Sequence, residues 1–238
     1  MISLEKKLES AVCHSYRNNN MKLTTLVLDL SKADEWYLST DWHLWIKDRK
    51  SIINGFHPVH CRENCDDILD QYEYIKNLIF LGDLVDDEFY RQFDAEEQDA
   101  IFGEMFDKIK NNNKYLIMGN NDHAIYKPLY EKYGFKVVDA LLINETYLLT
   151  HCPVDLTNVK YNIINIHGHQ HGHGFYWTVP YKSHLDIWNK DRTPVPLLYS
   201  NIRTMMLNTP IKDISHLHLK NKEEFIKFRG MYKTEDEI

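Results

Sequence analysis

Short apolar runs of strand length alternate with amphipathic stretches along most of the chain. The apolar runs predict strands at residues 23–30, 36–39, 77–81, 114–118, 135–138, 141–144, 145–150 and 162–166. Apolar positions at helical spacing predict helices at residues 66–76, 94–110 and 125–133. Strands that alternate with helices indicate an α/β fold.

Local signals predict how several of these elements begin and connect. Asp94, followed three residues later by Glu97, has the capping-box pattern of a helix start. The polar turn at residues 31–35 predicts a hairpin between the strands on either side of it, and residues 141–150 predict a second hairpin. We expect one domain over residues 1–238, with its core at about 23–200, a helical lead-in before it and a charged helical tail after it.

Composition places the chain among ordinary globular proteins. Hydrophobic residues make up 43% and charged residues 26% of its 238 positions. It has neither an apolar run of membrane-spanning length nor a signal-peptide pattern. We therefore expect a cytoplasmic protein, not inserted in a membrane, with its four cysteines reduced. The net charge of −7 disfavours nucleic acid as a partner, although it leaves that class open.

Five of the strand-like runs end in side chains that bind divalent cations. These side chains are Asp41 and His43, Asp83, Asn120, His151, and finally His169 with His171. In α/β sheets, the loops at the carboxyl ends of the strands gather into one crevice. Imidazole together with carboxylate or amide oxygen suits Mn, Fe, Zn or Ni. The pattern therefore predicts a metal site built from five separate loops.

A separate group of residues has the chemistry of a zinc site, namely His57, His60, Cys61 and Cys65. Cysteine and histidine are the usual ligands of structural zinc. Their spacing matches no common zinc module, so we favour an ordinary loop there.

The five ligand groups, in this order, resemble the motifs of the calcineurin-like metallophosphoesterases. The matching motifs are Asp41-Trp-His43, Gly82-Asp83, Gly119-Asn-Asn-Asp122, His151 and Gly168-His-Gln-His171. Residues 184–188 and 194–197 look like the strand region that follows the last motif in small bacterial and phage members. The resemblance implies a four-layer fold, in which two packed mixed β-sheets are flanked by helices, and a centre with two divalent metal ions.

Carried over position by position, the resemblance implies a role for seven side chains. The expected ligands are Asp41, His43 and His171 for one cation, Asn120, His151 and His169 for the other, and Asp83 as a bridge between them. In this family, a hydroxide that bridges the two cations attacks the phosphate ester in line with the leaving oxygen.

Four histidines alternate over residues 167–173, so their side chains could share one face of an extended chain. Only His169 and His171 fall on ligand positions of the family. We expect His167 to end the strand or to support a ligand, and His173 to face substrate or solvent.

One position departs from the family pattern. Many members have a histidine where this chain has Asn121, and that histidine protonates the leaving oxygen together with the acid that follows it, here Asp122. Asparagine is not a general acid near neutral pH, but it can donate a hydrogen bond to a phosphoryl oxygen. His123 is a candidate replacement acid, or it simply opens the next helix. If no acid is supplied, we expect a preference for esters with good leaving groups.

The sequence is compatible with three functions. The leading hypothesis is a hydrolase of small phosphate esters, with phosphodiesters slightly ahead of phosphomonoesters. A metallo-β-lactamase-like hydrolase is the second, but its early His-X-His-X-Asp-His motif is missing here. The third is a non-catalytic metal-binding scaffold, a role that usually accompanies the loss of ligands, whereas all seven positions are filled. Residues 175–180 are a candidate pocket wall, although we favour ordinary core or loop packing for them. Lys182, Arg192 and Arg203 are candidate phosphate contacts, although such charges are usually just solvated.

Overall fold

The computed structural model describes residues 2–29, 36–44, 62–86, 89, 91, 93–110, 112–156, 158–159, 163–169, 171, 184–188 and 192–197. Within these residues, the α-helices are Leu4–Ser15 (α1), Arg62–Asp70 (α2), Ala95–Asp107 (α3) and Lys127–Lys132 (α4), and a 3-10 turn at Ala124–Tyr126 precedes α4. The strands are Leu23–Leu26 (β1), Trp36–Ser39 (β2), Asn77–Phe80 (β3), Asn113–Ile117 (β4), Phe135–Val138 (β5), Ala140–Ile143 (β6), Tyr147–Leu149 (β7), Ile164–His167 (β8), His184–Asp186 (β9) and Val195–Pro196 (β10).

The described strands form two mixed sheets. The first sheet has the order β1-β6-β7-β8-β9 and is parallel except where β6 meets β7. The second sheet has the order β10-β2-β3-β4-β5 and is parallel except where β10 meets β2. The parallel strands carry their carboxyl ends to one edge of each sheet, where the predicted ligands lie.

Alternate positions of the strands point to opposite faces, and this alternation builds the layers. The core between the sheets is formed by the inward positions of both, including Leu38, Ile79, Ile117, Leu141, Ile143, Leu149 and Ile166. On the outer face of the second sheet, Phe80 packs with side chains of α2, α3 and α4. On the outer face of the first sheet, Leu142 packs with α1. Helices, two mixed sheets and helices therefore form four layers, which confirms the fold expected from the resemblance.

The predicted hairpin of β1 with β2 is wrong. β1 pairs in parallel with β6 in the first sheet, and β2 pairs in parallel with β3 in the second sheet. A polar turn between two apolar runs is a local signal, and it does not distinguish a hairpin from a crossover between two packed sheets. Residues 184–188 and 194–197 do not form one strand region either, because they contribute strands to different sheets, β9 to the first and β10 to the second. The second predicted hairpin is confirmed, because β6 and β7 pair antiparallel.

Helix positions follow the predictions with local shifts. Asp94 caps α3 with the predicted capping box: its side chain accepts from the backbone N–H of Glu96 and of Glu97, each at 3.0 Å. The predicted helix at residues 66–76 begins earlier and ends at Asp70, and its last apolar positions are buried in turns instead. The predicted C-terminal tail lies outside the described residues. No described helix has the length and apolar character needed to cross a membrane.

Candidate metal centre

The seven predicted ligands lie together at the carboxyl ends of five strands. Asp41 and His43 follow β2, Asp83 follows β3 and Asn120 follows β4, whereas His151 follows β7 and the last two histidines follow β8. Backbone bonds tie the loops to one another: the Asp41 N–H donates to Gly82 O at 2.9 Å, and the Gly168 N–H donates to His151 O at 3.0 Å. Both sheets therefore contribute to one crevice.

One group of donors surrounds Asp41. The Nε2 atom of His171 lies 3.2 Å from Asp41 Oδ1 and 3.3 Å from the Nε2 atom of His43. His43 Nε2 is 3.7 Å from the same Asp41 oxygen. These three side chains offer ligand atoms that could hold one cation.

A second group of donors surrounds His151. Its Nε2 atom lies 2.9 Å from Asn120 Oδ1, 3.2 Å from His169 Nδ1 and 3.4 Å from Asp83 Oδ2. The same Asp83 oxygen is 3.6 Å from His43 Nε2, in the first group. One carboxylate oxygen therefore reaches both groups.

Donor spacing and one buried oxygen fit divalent cations. Two donors bound about 2.1 Å from one cation, at angles of about 90–110°, are about 3.0–3.4 Å apart. Most of the separations within each group are close to this range. Asp41 Oδ1 is buried and makes no hydrogen bond in the described structure, although two ring nitrogens approach it. An acceptor of this kind is costly to bury unless something else occupies it, and a cation does so.

A backbone contact fixes which nitrogen of His151 faces the site. Its Nδ1 atom lies 2.7 Å from the carbonyl oxygen of Leu81. A ring nitrogen beside a carbonyl carries a proton, so Nε2 is the nitrogen that faces the other donors. The Nε2 atom of His151 is thus directed at Asn120, His169 and Asp83.

Buried charges compensate one another in the centre. Burial opposes ionisation of Asp41, but its close contacts with His171 and His43 hold the pKa of that carboxyl well below its usual value. Burial likewise opposes protonation of His43, but Asp41, Asp86 and Asp83 outweigh it and raise the pKa of His43 to about 9. A proton therefore competes with a cation for His43, and we expect metal affinity to fall as the pH is lowered.

The backbone is strained at five of the predicted ligands. Left-handed φ angles occur at Asp41 (53°), His43 (48°), Asp83 (57°), His169 (68°) and His171 (50°). Each such residue costs about 1–3 kcal/mol, and strain of this kind concentrates at functional sites. The fold therefore stabilises these side-chain directions at the expense of local backbone preference.

Two glycines allow the loops to approach one another. A Cβ atom on Gly119 would overlap the Asp83 carboxylate, and one on Gly168 would overlap Thr40 and the Asp41 carboxylate. The glycines of these motifs are thus required by close packing around the carboxylates.

Asn121, Asp122 and His123, the three residues considered for general acid catalysis, have different environments. The Asn121 backbone N–H donates to Asp83 Oδ1 at 2.8 Å, and its side-chain amide donates to Asp83 Oδ2 at 2.9 Å. Asp122 is buried, whereas His123 is exposed and precedes the 3-10 turn as its N-cap. Both the backbone N–H and the side-chain amide of Asn121 are therefore directed at the Asp83 carboxylate.

Asp122 joins the loops beneath the centre. Its Oδ2 atom accepts from the backbone N–H of Asp83 at 2.7 Å and of Gly119 at 2.9 Å. Its Oδ1 atom accepts from the Leu84 N–H at 3.2 Å and from the Tyr130 hydroxyl at 2.9 Å. Burial and the nearby charge of Asp83 raise the pKa of Asp122 to about 6.

We expect Asp122→Asn to destabilise the protein by about 2–4 kcal/mol, because its amide nitrogen would face donors and leave a buried group without an acceptor. Urea denaturation measures this change in the free energy of unfolding. Asp107→Asn, at an exposed position, is the matched control and should change that free energy by less than about 0.5 kcal/mol. Equal stability of the two variants would contradict the role of Asp122.

Other predicted residues are not among the donors of the two ligand groups, or lie outside the described residues. His167 is buried, its Nδ1 atom lies 2.9 Å from Gly168 O, and burial lowers its pKa to about 4. Cys65 lies in α2 and is buried in the helical core. Arg192 is buried, which argues against a direct phosphate contact. The remaining candidates of the zinc group, the pocket wall and the phosphate contacts lie outside the described residues, as does His173.

Two further side chains lie beside the predicted ligands without belonging to any of the sequence motifs. The Trp188 ring stacks on the His171 ring, with centroids 5.6 Å apart and planes at 23°. Cys152 offers its sulfur to a group with His151 and His169. The position of Cys152 directly after a predicted ligand was the only sequence signal for it, whereas the Trp188 contact depends on how β8 and β9 pair.

Comparisons with known proteins give one family match. The model of the calcineurin-like phosphoesterases matches residues 37–222, a span that includes all five ligand groups. No curated protein matches the chain. Among solved structures, it is similar to the protein of unknown function AQ665 from Aquifex aeolicus, with 20% identity and a TM-score of 0.46 over 71% of this chain and 98% of that chain. It is also similar to the nuclease MPE of Pseudomonas putida, with 21% identity and a TM-score of 0.41 over 57% of this chain and 61% of that chain.

Proposed function

The chain belongs to the calcineurin-like phosphoesterase family, and we propose that it is a two-metal hydrolase that prefers phosphodiesters. The observation that carries this proposal is the convergence of donor atoms from five loops around Asp83, whose Oδ2 atom lies 3.6 Å from His43 and 3.4 Å from His151. A carboxylate between two groups of ligands is what a pair of neighbouring cations requires, because it reduces their mutual repulsion.

We assign the ligands from these distances and the family roles. Asp41, His43 and His171 would hold one divalent cation. Asn120, His151 and His169 would hold the second, and Asp83 would bridge the two. Mn, Fe, Zn and Ni all suit donors of these types.

Bound divalent cations would stabilise negative charge on the phosphoryl oxygens. They would also lower the pKa of water, so that hydroxide is available as the nucleophile near neutral pH. The protein contributes orientation. Thr40 Oγ1 donates to Asp41 Oδ2 at 2.6 Å, and the His169 N–H donates to the same oxygen at 2.9 Å. These bonds direct Oδ1 of Asp41 toward His43 and His171. The ligands are therefore in place before substrate binds, which limits reorganisation during the reaction.

A preference for esters with good leaving groups, diesters and monoesters alike, rests on Asn121. An amide does not protonate a leaving oxygen, so the reaction depends on the stability of the leaving group itself. A phosphodiester with an aryl leaving group meets that condition. A phosphomonoesterase of the same fold is the second candidate, and it follows from the same metal ligands.

We further propose that the substrate is a small phosphate ester. Asp and Glu number 35 against 28 Lys and Arg, so the net charge of −7 gives the chain no excess of positive charge for a polyanion.

Removal of metal tests the proposed function. We expect chelation to abolish hydrolysis of bis(4-nitrophenyl) phosphate, and Mn or Ni to restore it, with two metal ions per chain by elemental analysis. 4-Nitrophenyl phosphate, assayed in parallel, measures monoesterase activity. Chelated protein without added metal, with its circular dichroism spectrum unchanged, is the control for loss of fold. Fewer than two metals per chain, or full activity after chelation, would contradict the proposal.

A further inference from the structure

Cys152 lies beside the second group of ligands. Its Sγ atom, a ring nitrogen of His151 and a ring nitrogen of His169 all lie within 4.8 Å of one another. The thiol is half-buried and is not in a disulfide. Two imidazole nitrogens and a sulfur in one cluster form a donor set typical of zinc.

The backbone of Cys152 is held in place from two directions. Its N–H donates to the Tyr16 hydroxyl at 2.6 Å, and that hydroxyl donates to the Cys152 carbonyl oxygen at 3.2 Å. The hydroxyl of Thr150 donates to the same carbonyl at 2.7 Å. Tyr16 directly follows α1, before the span that the family model matches. The peptide of Cys152 is thus fixed next to His151, and rotation about its side-chain bond is what moves the sulfur.

We propose that the Cys152 thiolate is a direct ligand of the cation held by Asn120, His151 and His169. When this cation binds, the thiol releases its proton to solvent and a sulfur lone pair forms the bond to the metal. This inference rests on the proposed two-metal function, because it adds a donor to one of the two sites.

A thiolate changes which metal the second site selects. Sulfur is a soft ligand that favours Zn and Fe, whereas oxygen ligands suit Mn and Mg. The first site has nitrogen and oxygen donors from Asp41, His43 and His171. The two sites therefore differ in chemistry, and the second would retain Zn where the first exchanges it for Mn.

Cobalt substitution tests the inference directly. We expect the protein loaded with two Co²⁺ ions to show the near-ultraviolet charge-transfer band of a cobalt–thiolate bond, and Cys152→Ser to lose it. Cys13→Ser is the matched control and should retain the band, since Cys13 lies in α1 and its thiol donates to Met21 O. In competition with a chromophoric chelator, Cys152→Ser should weaken Zn binding at one site by about tenfold or more, with little change for Mn.

A second measurement needs no variant. Alkylation of Cys152 by iodoacetamide, followed by peptide mass spectrometry, should slow by about tenfold or more when Zn is bound. Two bound cations with no charge-transfer band, or with no protection of Cys152, would overturn this inference and leave the proposed function intact. Failure to bind two cations would overturn both.

Discussion

Replacing Asp83 with asparagine should lower kcat/KM for an aryl phosphodiester by at least about 10³-fold, which is the upper range for loss of a single oxyanion-hole donor. Asp83 Oδ2 is the atom within reach of both ligand groups, at 3.6 Å from His43 Nε2 and 3.4 Å from His151 Nε2. The asparagine amide has nearly the same shape as the carboxylate but carries no charge, so the variant would lack the electrostatic attraction of Asp83 for two cations. Steady-state kinetics with saturating Mn measures the effect on activity, and elemental analysis should show a fall from two metals to one or none.

Asp83→Asn also changes one hydrogen bond, and this has to be separated from the loss of charge. Asn121 donates to both carboxylate oxygens of Asp83, at 2.8 Å and 2.9 Å. Asp83→Glu keeps the charge but displaces it, so it should retain more metal than Asp83→Asn. Asp99→Asn, at a position that is 39% exposed and paired with Lys132, is the control for a lost carboxylate elsewhere and should have wild-type kinetics. Full activity or full metal content of Asp83→Asn would refute the bridging role.

The convergence of these side chains could be predicted because each position depends on local information. Asp41, Asp83 and Asn120 each lie within a few residues of the end of an apolar run. Parallel strands bring their carboxyl ends to one edge of the sheet. The order of motifs along the chain then sufficed to name the family. The confirmed four layers follow from alternation within strands, as with Ile79 toward the other sheet and Phe80 toward the helices.

Contacts between distant segments could not be predicted in the same way. Tyr16 and Cys152 are 136 positions apart and meet only because α1 packs on the first sheet. The predicted hairpin of β1 with β2 is wrong for the same reason. Each strand pairs where its apolar side chains are buried between the sheets, and the turn between the two strands does not determine the partner. The strain at the ligands is also a property of the assembled loops, because propensity alone would not place His43 or His171 in the left-handed region.

The position of Asn121 indicates what a general acid would contribute to this centre. Its side-chain nitrogen lies 2.9 Å from Asp83 Oδ2 and 3.5 Å from His43 Nδ1, so a ring at position 121 would lie at the edge of the ligand groups. General acid catalysis contributes about 10²–10⁴-fold when the leaving group is poor, and little when the leaving group is already stable as an anion. The present asparagine should therefore give a steep dependence of rate on the leaving group.

We expect Asn121→His to raise the turnover of a dialkyl phosphodiester, in which both leaving groups are poor, by about 10²-fold, with little change for bis(4-nitrophenyl) phosphate. The gain should disappear as the pH rises above the pKa of the new imidazole, near 6.5 for an unperturbed histidine, because only the protonated ring donates. Asn121→Gln separates this effect from loss of the hydrogen bond to Asp83, since it keeps an amide and adds no acid. His123→Ala is the second control, and we expect it to retain activity because His123 is exposed at the start of the 3-10 turn. Unchanged turnover of the poor-leaving-group ester in Asn121→His, or its abolition in His123→Ala, would show that the chain already has an acid and that Asn121 does not set the leaving-group preference.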